Sequence, residues 1–304
     1  MDAQRRDVEF QTLDGLTLRG WLFTGTKGGP AVVVNGAFNT PKEIFASEVA
    51  AWFGRQGVNA LVYDARTLGV SDGLPRNDLD PQKFAEDIHD AVTFLQNDGW
   101  VDPHRIALWG FFYSTAVVLE AAAFDKRVAA VILQGLMPEW SLNPPDEQAV
   151  IERAIKDRVN RQKGDAPDYV PLINEKGEHF LLFENLARLS PEQKTKLPDW
   201  VELAKKLAPT FNDRLTIQSF YRHAKWRPLN FVARVSPTPV MILTPEFDEM
   251  VSPKFQREIF DSIQSKGKRF EILKGKGHTN LLENVSLDDL LGSQLAFLKD
   301  VLEF

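Results

Sequence analysis

The chain has 304 residues, with 36 Lys and Arg against 42 Asp and Glu, a formal net charge of −6, and no cysteine. An acidic chain without a Lys/Arg-rich run is not built to hold nucleic acid or an anionic membrane, and without cysteine there is no disulfide and no Cys-ligated metal. With 43% hydrophobic and 26% charged residues it can bury a sizeable core.

In chain order, Val8–Thr12 and Leu16–Phe23 flank an Asp14-Gly15 turn, a hairpin signal. Ala31–Asn35 is a short apolar strand closed by Gly36, and a helical pattern runs from about Glu43 to Gln56 before a second buried strand, Asn59–Asp64. Asp80-Pro81 opens a helix as N-cap and first residue, with Phe84, Ile88, Val92 and Leu95 on one face. Asp102–Arg105 reads as a turn, Ile106–Trp109 as a strand, and Val128–Gln134 as the next strand. From Met137 to about Arg227 the rhythm breaks into charged, Pro-punctuated sequence, helical at Glu147–Asn160, Leu182–Ala187 and Trp200–Lys206. Alternation resumes with Pro239–Thr244, a Ser252–Gln264 helix, Lys268–Leu273 and a closing helix from Ser286, where Asp289 holds the capping-box position. Buried strands alternating with amphipathic helices give a mostly parallel sheet with helices on both faces. An insertion of this length is too long for a loop. The expected organisation is a core of residues 1–136 and 230–304 with a mainly helical cap, 137–229, over the C-terminal edge of the sheet, where such folds place their sites.

The stretch Ile106-Ala-Leu-Trp-Gly110-Phe-Phe112-Tyr-Ser114 carries the most information. It has the frame of a G-x-S-x-G nucleophile elbow, but the residue two past Gly110 is Phe112, and the second glycine is Ser114. Asp248 lies in the loop after the Pro239–Thr244 strand, and His278 follows the last strand in Gly275-Lys-Gly-His278. Singly these read as a surface acid and a solvated loop histidine. Their order and strand context make Asp248 the orienting acid and His278 the base. The backbone donors for an oxyanion are expected at Tyr113 and at Ala37 in the Asn35-Gly36-Ala37-Phe38 turn, with Phe112, Phe38, Asn35 and Phe111 as pocket residues. Tyr221 in the cap is the candidate proton donor, although a cap tyrosine more often packs with a hydrogen-bonded tip. His223 is a weaker pocket candidate, His179 also falls in the cap, His89 reads as solvated, and His104 lies in a turn before the elbow strand, far from the catalytic edge. No histidine pair has ligand spacing and no Gly-rich phosphate loop opens a helix, so neither metal nor cofactor is expected. No apolar leader or bilayer-length run occurs, which points to a cytoplasmic protein without membrane insertion. A homodimer is left open.

On Asn35–Glu43, Tyr63-Asp-Ala-Arg66-Thr-Leu-Gly69-Val-Ser71-Asp72-Gly73, Val101–Ile106 and Pro237–Met241, the chain resembles α/β-hydrolases of the fungal polyketide-transferase and acyl-hydrolase type. The resemblance implies an α/β-hydrolase fold and a role in secondary metabolism. It also marks three departures. Asn35-Gly36 stands for the usual His-Gly, Phe112 for the nucleophile serine, and Thr115-Ala116 for a Gly pair. A remodelled elbow beside a kept Asp248 and His278 suggests a repurposed site. The expectation drawn from this is acid–base chemistry by His278–Asp248 on a hydrophobic polyketide or terpenoid, with epoxide hydrolysis or epoxide-opening cyclisation first. Behind it stand another cyclase, isomerase or dehydratase reaction, an inactive pseudo-hydrolase that binds a hydrophobic ligand, and a serine esterase or acyltransferase using Ser114.

Overall fold

The computed structural model describes residues 3–138, 140, 142, 144–173 and 190–304. The Leu182–Ala187 patch and His179 lie outside the described residues. An eight-stranded sheet is built from β1 (Gln4–Gln11), β2 (Thr17–Thr24), β3 (Gly29–Asn35), β4 (Asn59–Tyr63), β5 (Val101–Phe111), β6 (Val128–Gln134), β9 (Val240–Phe247) and β10 (Lys268–Gly277). Across the sheet the order is β1-β2-β4-β3-β5-β6-β9-β10. β1 and β2 are antiparallel to their neighbours, and every pairing from β4 to β10 is parallel. The expected α/β-hydrolase architecture is therefore present.

Parallel strands joined by crossover helices are covered on both faces. Helices α1 (Ala46–Arg55) and α8 (Leu287–Leu302) bury one face against Trp109, Phe111 and Leu243. Helices α2 (Pro81–Gln96), α3 (Tyr113–Phe124) and α7 (Pro253–Ser262) cover the other. Asp80 caps α2 by accepting from Gln82 and Lys83 N–H, with Pro81 in the first turn. Ser286 caps α8 by accepting from Asp289 N–H. Tyr113 to Ala123 of α3 are all buried, which is why no amphipathic face shows there.

The insert between β6 and β9 holds α4 (Pro144–Gln162), β7 (Tyr169–Pro171), α5 (Pro191–Leu207), β8 (Arg214–Thr216), α6 (Ile217–Lys225) and a 3₁₀ turn, Pro228–Val235. The described part of the insert is mainly helical, as expected, and adds an antiparallel β7–β8 pair whose three-residue strands are too short to leave an alternation pattern. Two further boundaries differ. The expected turn at Asp102–Arg105 is the first half of β5, because Gly29 pairs with Val101 ahead of the bulge. The helix expected from Glu43 starts at Ala46, because Phe45 has φ 62° and breaks the helical backbone.

The motif around Asp64 is structural. Its buried carboxylate accepts from Lys42 N–H, Lys42 Nζ and Val70 N–H. A side chain at Gly69 would lie 2.1 Å from that carboxylate, so the loop closes only with glycine there. The C-terminal edge of the sheet thus gathers the ends of β3, β5, β6, β9 and β10 on one side. No helix among the described residues is long and apolar enough to cross a membrane.

Candidate active site

β5 runs directly into α3 through Phe112, whose φ of 50° and ψ of −110° make a sharp turn in a region that side chains seldom occupy. Three features hold this turn. Phe112 N–H donates to Gln134 O at the end of β6 (3.0 Å). Thr115 Oγ1 donates to Phe112 O and accepts from Met137 N–H (3.0 Å). Ser114 Oγ accepts from Phe111 N–H (2.9 Å) and donates to Asn35 O (2.8 Å). Ser114 therefore ties β5 to β3. At Gly110 a Cβ would come within 2.9 Å of Thr115 Cα, so glycine lets the helix start this close to the strand.

The Phe112 ring stacks on the His278 imidazole, with centroids 3.7 Å apart and planes 22° apart. It also lies 4.1 Å from the Phe111 ring. Beneath it Gly135 has φ +68°, and a Cβ there would lie 2.5 Å from Phe112 Cδ1 and Cε1. The phenyl group is seated in a slot that only glycine leaves open.

His278 follows β10, and its Nδ1 lies 3.2 Å from Asp248 Oδ1. Asp248, after β9, has a fully buried side chain. The same Oδ1 accepts Met250 and Val251 N–H, both at 3.0 Å, and Oδ2 accepts Gln256 Nε2 at 3.1 Å from α7. A carboxylate so surrounded by donors stays an acceptor, so Nδ1 carries the proton and Nε2 is the basic nitrogen. Gln256 is a support that the sequence reading missed. It is held by Thr244 Oγ1 (2.9 Å) and is buried within the acid loop.

Among the other expected residues, Tyr113 begins α3, where a first-turn N–H has no intrahelical acceptor. Ala37 lies in the turn after β3, its carbonyl bonded by Thr40 Oγ1 (2.9 Å). Asn35 Nδ2 donates to Val33 O and Trp109 O, so its amide braces strands. Phe38 is stacked on Trp140 and lies edge-on to Tyr113. Phe111 points into the core on the α8 side, stacked with Trp109 at 5.9 Å, because residues two apart on a strand share a face. Tyr221 is partly buried at the edge of the Ile217–Phe220–Ala224 face of α6, packed against the core, with the Lys225 ammonium 4.3 Å from its ring. His89 is bonded to Asp125 (3.1 Å) and is not simply solvated.

The tyrosine that does join the insert to the elbow is Tyr113. Ser219 O can only accept, so His223 Nδ1 donates to it (2.6 Å), and His223 Nε2 accepts from the Tyr113 hydroxyl (3.0 Å). Full burial pushes His223 down to about 4 and the Tyr113 hydroxyl well above its ordinary value. This pair pins α6 onto the first residue of α3.

A parallel sheet with an acid after β9 and a histidine after β10 defines the α/β-hydrolase class. Residues 32–285 match the family described as serine aminopeptidase, S33. The polyketide transferase ATR5 of Stachybotrys chlorohalonatus is 41% identical over 303 residues, 99% of this chain and 98% of that protein. A thiohydrolase of Eupenicillium brefeldianum is 39% identical, over 98% and 94% of the two chains. The crystal structure of the α/β-hydrolase GrgF from Penicillium sp. sh18 superposes with a TM-score of 0.88 at 39% identity, over 99% of this chain and 100% of that one. The chain belongs to the fungal polyketide transferase and thiohydrolase family of α/β-hydrolases. The expectation of epoxide hydrolysis or epoxide-opening cyclisation is corrected by these relatives, which are transferases and thiohydrolases. They favour the acyl-group chemistry that the sequence reading had placed behind it.

Two predictions come from this geometry. The unfolded chain protonates His223 below 6.5 and the folded chain only near 4, so stability falls as pH drops through that window. Urea unfolding from pH 7 to pH 4 should cost the wild type about 3 kcal/mol more than it costs His223→Asn. Equal losses would mean that His223 titrates normally. Gly135→Ala should destabilise the wild type by at least about 1–3 kcal/mol through overpacking and backbone strain. The penalty should shrink in a Phe112→Ala background, where the ring it strikes is gone; thermal melts of the four proteins of this cycle measure the coupling.

Proposed function

We propose that the protein acts on the acyl carbonyl of a polyketide thioester and does so without an acyl-enzyme. On this reading Phe112 stands where serine hydrolases of this fold carry their nucleophile, and its side chain has no atom that can attack. Ser114 does not substitute for it, because its hydroxyl is committed to Phe111 N–H and Asn35 O. His278, oriented by Asp248, then makes water or a substrate hydroxyl the direct nucleophile.

The observation that carries this reading is the buried acid–histidine pair, with Asp248 accepting from His278 and three other donors. The substrate class is carried over from the names of the relatives, polyketide transferase and thiohydrolase. The stack with Phe112 covers a face of the imidazole. A basic lone pair lies in the ring plane, so face stacking is compatible with Nε2 taking a proton at the ring edge.

In the first step Nε2 removes the proton of water or of the alcohol as its oxygen bonds to the thioester carbon. The carbonyl oxygen becomes an oxyanion, for which the Tyr113 and Ala37 N–H groups are the proposed donors. Collapse breaks the carbon–sulfur bond, and the departing thiolate takes the proton back from the imidazolium. The products are a free thiol and an acid or an ester. General-base catalysis of this kind contributes about 10²–10⁴-fold.

The test is release of thiol from an N-acetylcysteamine thioester of a β-ketoacyl chain, followed with a thiol-reactive chromophore. His278→Ala should lower kcat by about 10²–10⁴-fold, and Asp248→Asn should also lower it strongly by favouring the wrong imidazole tautomer. Full activity in both variants, or no thiol release by the wild type, would sink the proposal.

A further inference from the structure

We propose that Glu249 is a positioning residue that couples the insert to the catalytic histidine, so that α5 and the His278 loop move as one unit. Glu249 follows the acid Asp248, and its carboxylate uses its two oxygens on two different elements. Oε2 accepts the backbone N–H of His278 at 2.8 Å. Oε1 accepts Nε2 of Gln193, in the first turn of α5. One carboxylate therefore bridges the insert helix and the residue that carries the base.

The surroundings commit each group to this bridge. Gln193 is the N3 residue of a capping box: its N–H bonds Ser190 Oγ (3.2 Å) and its Oε1 accepts Ser190 N–H (2.8 Å). With its oxygen held at the helix start, its NH₂ faces Glu249 and Thr279 Oγ1 (3.3 Å), the residue after His278. Gly277 makes room for the carboxylate, since a Cβ there would fall 2.8–3.1 Å from its atoms. Lys196, one turn along α5, pairs with Glu283 at the far end of the same loop (3.5 Å). Bonds to an ionised acceptor are stronger than neutral ones, and the Lys196–Glu283 pair is exposed to solvent, so the Glu249 bridge is the firmer of the two ties.

The coupling acts through a backbone amide. Asp248 sets the tautomer and ring orientation of His278, whereas Glu249 sets where its main chain lies. Displacing α5 removes one partner of the carboxylate and frees it to leave the His278 N–H. The bearing on turnover rests on His278 being the base proposed above, but the coupling itself needs no turnover to be seen.

Hydrogen–deuterium exchange of the 277–283 segment tests it, in the wild type, in Gln193→Glu, and in the double variant Gln193→Glu/Glu249→Gln. Gln193→Glu sets two carboxylates face to face and should speed exchange of the His278 amide by about tenfold, the scale of one charge-assisted hydrogen bond. The double variant should restore the wild-type rate. There the side-chain amide introduced at position 249 donates to the carboxylate introduced at position 193, while its carbonyl still accepts from the His278 N–H. A carboxylate at the N3 position also keeps the capping box. Thermal melts confirm that each variant is folded. Unchanged exchange in Gln193→Glu, or a double variant no slower than the single one, would overturn the coupling. A wild type that releases no thiol but shows this exchange pattern would overturn only the catalytic reading.

Discussion

The backbone at Phe112 is the constraint around which the site is arranged. Holding a non-glycine residue at φ 50° and ψ −110° costs about 1–3 kcal/mol and persists only where the surroundings over-determine it. Here they do, through Gln134 O, Thr115 Oγ1 and the Ser114 hydroxyl, with Gly110 and Gly135 leaving room for the helix and the ring. The turn brings the first N–H groups of α3 to the sheet edge and stacks a phenyl ring on the imidazole of His278. Seated there, the Phe112 ring covers one face of that imidazole.

On the proposed reading, the acid and the histidine of the site are held without help from the residue at the elbow. β9 and β10, parallel neighbours at one end of the sheet, deliver Asp248 and His278 to each other just past a register shift between Leu273 and Gly277. β3 and β5 bring Ala37 and Tyr113 to the same edge. Tyr113 is further held by a neutral, buried His223, so the insert contacts the elbow through α6 as well as the histidine loop through α5. The insert therefore bears on both halves of the proposed machinery.

Much of this was legible in the sequence, because it depends on local pattern. Apolar runs ending in glycine marked β3 and the elbow, and the order of Asp248 and His278 after two strong strands marked the dyad. What could not be read depends on contacts distant in the chain. The Tyr113–His223 bond spans 110 residues and the Gln193–Glu249 bond 56, and neither leaves a motif. Phe111 could have been assigned to the core from its strand period with Trp109. The reaction was misread for a chemical reason. A His–Asp pair specifies a base but not the bond it serves, and only relatives of known reaction class separate a thioester from an epoxide.

The central claim is that the carbonyl is attacked directly. Intact-protein mass spectrometry of the wild type, quenched in acid while thiol is being released from the thioester, tests this most directly. The account predicts unmodified protein at every time point. A transient adduct of the acyl mass, absent in Ser114→Ala, would contradict it.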